Sequence, residues 1–451
     1  MIVSKFGGTS VGDAAAIARS AEIVRGRLDR QPIVVVSAMS GVTNAVLAAA
    51  DDAVEGRLVI AISSIDRLRD RHLTAVRELL DGSGATREVS DEITQLFDEL
   101  TSLVRALAVL GHATGRSLDA VAALGELLSS RLVVAAYQAV GIPAVLVDAR
   151  QVIITDAAHT RAMPDIPAIA DAARSVLAPL VEDGQVPVLG GFIGATPGGV
   201  TTTLGRGGSD YSAALIGSAL EVEAIEIWTD VDGMLTADPR IVPSARLIEQ
   251  IRFDEASELA SFGAKVLHPS TIAPAVRQGI PVFIHNSARP DGKGTRIMTD
   301  APRRAVTAIA GKRGTSVVKL RSSKMLLAHG FLRTIFEVFE RHRTSVDVVA
   351  TSEVEVSLTV DHDERLDAVL ADLTSLADVS VERLRGIVAI VGAGLSDDTR
   401  SIAQALTALG DIKVHMLSLS STGINLTMIV EEKDVAPAMR QLHAAFFPGA
   451  R

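Results

Sequence analysis

The stretch "IVSKFGGTSVG", Ile2 to Gly12, combines a β-branched apolar run, a lysine, two glycines and small hydroxyl residues. Directly after it comes "AAAIARSAEIVRGRL", a helical pattern for which Asp13 supplies the cap. A strand that breaks at glycines and resumes as a helix is the repeating unit of an open α/β sheet. Such a turn exposes backbone N–H groups at the positive end of a helix, which suits an anion. Glycines let the backbone approach phosphate oxygens, and Lys5 offers charge to a phosphoryl group in transfer. The pattern is neither the Walker A sequence, where lysine follows the glycines, nor GxGxxG. Alone, it reads equally as a tight turn with a surface lysine.

Further runs of the same kind follow: "PIVVVSA" from Pro32, "PAVLVDA" from Pro143, "VPVLGGFIG" from Val186, "AIEIWTD" from Ala224 and "PVFIHN" from Pro281. Short β-branched runs separated by helical sequence predict strands buried on both faces of a mostly parallel sheet. Residues 51–125 lack such runs and carry apolar residues at helical spacing, a helical elaboration of the first domain. The Pro-, Gly- and charge-rich stretch "HNSARPDGKGTRIMTDAPRR" from His285 to Arg304 marks a boundary, so the first domain spans residues 1–290. Beyond it the sequence repeats. Residues 312–384 read β, α, β, β, α, β, and residues 385–451 read the same way without the last strand. The unassigned strand-like run "AVTAIAG" at 305–311 is expected to complete the second unit, leaving the first inserted within it.

At 451 residues the chain is long enough for about three domains. With 48% hydrophobic and 22% charged residues its composition is that of a globular protein. It has no cysteine, which removes disulfides, thiolate metal sites and a cysteine nucleophile. The net charge of −10 disfavours nucleic acid and anionic membranes as partners. No leader pattern opens the chain, and no apolar run reaches the roughly 20 residues of a membrane span, so a cytoplasmic location is expected.

Three more stretches carry candidate chemistry. In "TTTLGRGGSDYSAALIGSAL", Arg206 stands among Gly205, Gly207 and Gly208, and Ser209 and Asp210 open a helix. This is a second anion-ready helix start, with a fork for a carboxylate; the plain alternative is a glycine loop with a solvated arginine. In "ALGELLSSR", Glu126 lies among small and apolar residues, where it must either meet a cation or bear the cost of desolvation. In "IWTDVDGMLTADPR" a strand ends at Thr229 and Asp230, the position where α/β sheets bind ligands. Asp230 and Asp232 lack a complete metal-ligand spacing and read as a turn. His268 and His285 have no evident catalytic partner and are assigned to packing or surface; Trp228 is expected to pack beside the sheet.

Taken together, "KFGGTSVG", "VSAMSGVTN", "GELLSSR", "TTTLGRGGSDYSA", "WTDVDGMLTADPR" and "FGAKVLHPSTIAPA" resemble the aspartate kinases, in the monofunctional form with a C-terminal pair of ACT units. The resemblance runs in order over nearly the whole chain. It implies an amino acid kinase-like α/β/α sandwich with an open, mostly parallel sheet, followed by two ferredoxin-like βαββαβ ACT units. The implied reaction transfers the γ-phosphoryl of ATP to the side-chain carboxylate of L-aspartate, the first step toward lysine, threonine and methionine. Lys5, Gly7, Gly8, Thr9 and Ser10 would meet the phosphates. Thr43 and Glu126 would hold aspartate, with Glu126 facing its ammonium; Phe192 and Ile193 would line the pocket; Arg206 would clamp a carboxylate. Asp210 would orient Lys5, and Lys5, Arg206 and Asp210 form the catalytic set. Thr229, Asp230, Leu235, Arg240, Lys265 and Val266 would contact the nucleotide, Leu235 standing where relatives often carry tyrosine. Mg²⁺ is implied as the companion of ATP, held mainly by phosphate oxygens and water, with no protein ligand assigned.

The resemblance also assigns an effector site to Met325, Ala328, Leu332, Ser345, Val346, Asp347, Thr351, Ser352 and Glu353. Leu327 and Ala328 replace polar residues of lysine-sensitive forms, so lysine, threonine, both or neither is the effector. A homodimer or a dimer of dimers through the ACT units is expected. Two other readings stay open: an ACT-based amino-acid sensor with an inert kinase part, and a kinase of another amino-acid acceptor.

Overall fold

The structure, a computed structural model, describes residues 1–82, 84–263, 269–322, 325, 329–361 and 365–449. The chain divides into two compact units. The first comprises Met1–Met234, Glu249–Phe253 and Val266–Ala301; the second comprises Leu235–Ile248, Asp254–Lys265 and Pro302–Arg451. Two segments inside the range read as the first domain, Leu235–Ile248 and Asp254–Lys265, therefore group with the C-terminal part.

The strands in chain order are β1 (Ile2–Phe6), β2 (Pro32–Val36), β3 (Ala144–Leu146), β4 (Val186–Gly190), β5 (Ile193–Ala195), β6 (Thr201–Thr203), β7 (Ala224–Thr229), β8 (Gln250–Arg252), β9 (Val282–Asn286) and β10 (Thr295–Met298). Eight of them form one sheet in the order β3-β4-β2-β1-β7-β9-β10-β8, and β5 and β6 form a separate hairpin-like pair. All neighbours in the sheet run parallel except β9 and β10. Every residue of β1, β2 and β4 is buried, which is why these runs carry no polar alternation. The run "VPVLGGFIG" divides into β4 and β5 because the chain turns at Gly191 and Phe192. Sequence reading missed β8 and β10: each is at most four residues long, and β10 lies in the polar stretch taken as a boundary.

Helices Val42–Val54, Leu58–Leu79, Thr86–Leu110 and Gly115–Ala139 build the helical elaboration. Their apolar faces meet in one core in which Ile65, Phe97 and Val104 have no exposed surface. His72 is buried there too: its Nδ1 bonds the Leu68 carbonyl at 2.7 Å and its ring lies edge-on to Phe97. Gly115–Ala139 is long and apolar enough to cross a membrane by length and composition, a property the expectation of no such run overlooked. It is instead the central helix of this core, mostly buried within the protein.

In the second unit, β11 (Ala308–Arg321), β12 (Val346–Thr351), β13 (Glu355–Asp361), β14 (Asp378–Val391), β15 (Met416–Leu419) and β16 (Asn425–Glu431) form an antiparallel sheet in the order β12-β13-β11-β14-β16-β15. β11 and β14 are long enough to serve two halves. Thr315–Arg321 of β11 pairs with β13 and with Asp378–Arg385, whereas Ala308–Lys312 pairs with Ile387–Val391. Register shifts between Lys312 and Val317 separate the halves, with Gly314 in the left-handed region between them. Each half has its own apolar core.

Candidate active site

β1 sits mid-sheet, with β2 on one side and β7 on the other, so the C-terminal ends of these parallel strands open a crevice at the reversal of strand order. The turn after β1 is bound to both neighbours: the Gly7 amide donates to the Trp228 carbonyl at 2.9 Å, and the Ser37 amide donates to the Phe6 carbonyl at 3.0 Å. Gly8 belongs to a short 3-10 turn, Gly8–Val11, before the helix Ala14–Arg25, whose start Asp13 caps through the Ala16 amide at 2.7 Å. A Cβ on Gly8 would stand 3.0 Å from the Ala38 carbonyl, so this close approach requires glycine.

A cleft of about 690 Å³ opens above these strand ends. Lys5, Gly7, Gly8, Thr9, Thr43, Glu126, Phe192, Arg206, Asp210 and Thr229, from the residues proposed on sequence, all line it. Lys5 is 8% exposed, and its ammonium meets Asp210 Oδ1 at 2.7 Å. Asp210 lies in the first turn of the helix Gly208–Ala219, where the positive end of the helix dipole favours its carboxylate. Arg206 is exposed and has no ion-pair partner among the described residues, so its guanidinium is available to a ligand.

Glu126 answers the alternative posed by its sequence context: no cation meets it among the described residues, and it is desolvated. It is 3% exposed, Oε1 accepts from the Ala38 amide at 3.3 Å, and Oε2 has no hydrogen-bond partner. Burial pushes its carboxyl up to about 8 from the ordinary 4.5; the Ala38 amide and the nearby Thr43 hydroxyl oppose the shift only in part. A neutral acid with an unpaired oxygen, facing an open cleft, is a site prepared for a cationic group. Phe192 beside it holds φ 67, an unusual conformation for an aromatic residue, fixed by the Ser212 hydroxyl, which its amide meets at 3.0 Å.

Other proposed residues fall elsewhere. Ser10 does not line the cleft: it is fully buried, and its hydroxyl bonds the Trp228 carbonyl at 3.1 Å and the Ser287 hydroxyl at 2.8 Å, anchoring the turn from below. Ile193 is buried in the β5–β6 pair. Asp230 is exposed just past β7, where its Oδ1 accepts from the Thr229 hydroxyl at 3.2 Å, outside the cleft lining. Leu235 and Arg240 belong to the second unit, where Arg240 grips Asp238 at 2.7 Å. Lys265, Val266 and His268 lie outside the described residues. His285 stacks on Trp228 with centroids 4.8 Å apart, in keeping with its assignment to packing. Trp228 itself is fully buried within β7.

Of the effector candidates, Leu332, Ser345, Thr351, Ser352 and Glu353 are exposed, and Met325 and Val346 pack against the core of the β12–β13 half. Asp347 already meets Lys312 Nζ at 3.0 Å, and the same ammonium reaches Asp361 at 2.6 Å. Ala328 and Leu327 lie outside the described residues. Sequence reasoning missed Asp119, Thr160 and Thr203 in the cleft lining. Asp119 was detectable, since it precedes Glu126 by seven residues, two helical turns, and so shares its face.

Residues 1–286 match the model of the amino acid kinase family, and residues 388–446 match an ACT domain. The lysine-sensitive aspartokinase 3 of Escherichia coli is 38% identical over 99% of both chains. The chain belongs to the amino acid kinase family, among the aspartokinases. The chloroplastic aspartokinase 3 of Arabidopsis thaliana is 35% identical, covering 99% of this chain and 81% of the plant protein. The crystal structure of E. coli aspartokinase III with aspartate and ADP, in its R-state, superposes with a TM-score of 0.85 at 37% identity, over 99% of this chain and 100% of that one. The T-state complex of the same enzyme with lysine and aspartate gives 0.84 at 36%, over 99% of each chain. An aspartokinase accounts for a cleft whose described lining holds no histidine, because its acceptor is already a carboxylate.

Proposed function

We propose that this aspartokinase transfers the γ-phosphoryl group of ATP to the side-chain carboxylate of L-aspartate, giving 4-phospho-L-aspartate. The observation that carries this reading is the convergence of the Lys5–Asp210 pair, the free Arg206 and the unpaired Glu126 on one cleft. A carboxylate acceptor is ionised at neutral pH, so no base is needed, and catalysis reduces to alignment and charge neutralisation. Lys5, beside the amides of Gly7 and Gly8, offsets the charge of the migrating group. Asp210 holds the lysine aim, and the lysine screens that aspartate from the incoming anions.

Glu126 takes the acceptor's ammonium and Arg206 one of its carboxylates, with Thr43 and Phe192 shaping the pocket between. Thr9 and Thr229 lie at the nucleotide side; the assignments of Ser10, Ile193, Asp230, Leu235, Arg240, Lys265 and Val266 rest on the resemblance alone. Mg²⁺ would enter with the nucleotide and be held mainly by phosphate oxygens and water. When bound it would supply charge neutralisation for the nucleotide phosphates.

The two halves of the C-terminal sheet are read as two ACT units, the first inserted into the second, with 305–311 completing the second. Lysine is the proposed effector, received along Ser345–Glu353, and a second copy of the chain, cytoplasmic like the first, covers the outer strands in a homodimer or dimer of dimers. The test is steady-state ADP formation with ATP and Mg²⁺ across aspartate, glutamate and acetylglutamate, repeated with lysine and with threonine. Aspartate-dependent turnover slowed by lysine is expected. Turnover with another acceptor only, or amino-acid binding without any ATP consumption, would overturn the reading.

A further inference from the structure

Asp119 is 1% exposed, and both of its oxygens accept hydrogen bonds. They accept from His159 Nδ1 at 2.7 Å, from the Thr160 amide at 3.0 and 3.1 Å, and from the Thr203 hydroxyl at 2.6 Å. Three donors, one of them an amide shared by both oxygens, hold the carboxylate from three sides, so Asp119 is tied to the protein although it borders the cleft. What it does is join three segments: the helix that carries Glu126, the loop through His159 and Thr160, and β6.

Both partner segments lead to Arg206. β6 ends at Thr203, three residues before it, and the Thr203 carbonyl accepts from the Ala162 amide at 2.9 Å, closing the loop onto the strand. Thr160 is held at φ 70, a left-handed conformation that a β-branched residue adopts only when its surroundings impose it. The Asp119 carboxylate on its amide is that imposition. Its carbonyl in turn abuts Gly205, where a Cβ would stand 3.3 Å away and where φ is 77. A chain of contacts thus runs from Asp119 through Thr160 and Thr203 to the backbone on either side of Arg206, whose own side chain is exposed and unpaired.

We propose that Asp119 is a positioning residue that fixes the Arg206 loop relative to Glu126 and thereby sets how tightly the acceptor amino acid is gripped. The inference rests on the reading that Arg206 and Glu126 hold that acceptor. Because the clamp acts on one substrate only, its loss is expected to divide the kinetic constants.

The experiment compares Asp119→Asn, alone and combined with Arg206→Lys, in steady-state assays of the full chain. Asp119→Asn is expected to raise KM for aspartate about tenfold, leaving KM for ATP and kcat within about threefold. In the Arg206→Lys background the same substitution should raise KM for aspartate less than about twofold, because the fork it positions is gone. His159→Gln, which removes one contact and spares the others, should shift KM for aspartate in the same direction by a smaller factor, and it serves if Asp119→Asn does not fold. A wild-type KM for aspartate in both variants, an equal rise in both backgrounds, or a parallel rise in KM for ATP would overturn the proposal. If Arg206→Lys alone leaves KM for aspartate unchanged, the premise about Arg206 fails instead, and the inference falls with it.

Discussion

In the cleft, Lys5 and Glu126 are 8% and 3% exposed and are held by strand ends, a core helix and close-packed turns of one chain. On and beside β12, the end strand of the second unit's sheet, Ser345, Asp347, Thr351, Ser352 and Glu353 lie open to solvent, and among the described residues one edge of that strand is unpaired. The two regions handle charge in opposite ways. The cleft keeps Glu126 desolvated without a counter-ion, so the energetic gain appears when a ligand brings one. On β12 the candidate acceptor Asp347 is already neutralised by Lys312, a cation from the same chain. The comparison teaches that an enclosed site is recognisable from one chain, whereas an open strip depends on what covers it.

Removing the free fork should disturb the cleft most. Arg206→Ala is expected to lower kcat/KM for aspartate by about a thousandfold or more, with KM for ATP little changed. Near-normal turnover would place the acceptor elsewhere.

The desolvated acid sharpens the contrast. Since burial raises the Glu126 carboxyl to about 8, the folded protein binds that proton more tightly than the unfolded chain does. The contribution of Glu126 to stability is therefore lost as pH rises from about 4.5 to about 8. Glu126→Gln should remove that decline in thermal melts across this window, making the variant more stable at pH 8 by on the order of 2 kcal/mol, while abolishing aspartate binding. A variant that melts lower at pH 8 would contradict the unpaired state. Aspartate binding near pH 7, followed calorimetrically in buffers of different ionisation enthalpy, should also release about one proton, because an ammonium beside Glu126 favours its ionised form.

On the open strip the effect is smaller. With Lys312 occupying Asp347, lysine must compete for the carboxylate, so Lys312→Met is expected to lower the half-inhibiting lysine concentration by about three- to tenfold. An unchanged or higher value would mean that Asp347 does not meet the effector. Smallest of all is a control far from ligand chemistry. Burial holds His72 down to about 4 from 6.5, so its neutral form contributes stability that is lost as pH falls through that range. His72→Leu should flatten the acid limb of the melting profile there without altering turnover at pH 7.

The parts of the molecule legible in its sequence were those whose physics is local. β1, β2 and β7 announce themselves because a strand buried on both faces needs unbroken β-branched residues, and Asp13 because a cap acts within three residues. Lys5, Arg206 and Asp210 could be named from glycine-rich turns, since close backbone approach leaves a compositional mark. What sequence hid was non-local. Ser10 looks like a phosphate ligand in "GGTSVG" but bonds Trp228 and Ser287, both more than 200 residues away. Asp119 reads as one more helical carboxylate until His159 and Thr203 are brought to it by the fold. β8 and β10 are too short and too polar to show a period, and are strands only because sheet neighbours complete their hydrogen bonds.

Single-turnover phosphoryl transfer in Lys5→Met, on protein shown to be folded and saturated with ATP, Mg²⁺ and aspartate, probes the proposed chemistry most directly. The account predicts a rate reduced by about a thousandfold or more with both substrates still bound, because the neutralising ammonium acts in the transition state. A rate within about threefold of the unmodified protein would show that the charge on the migrating phosphoryl group is met elsewhere.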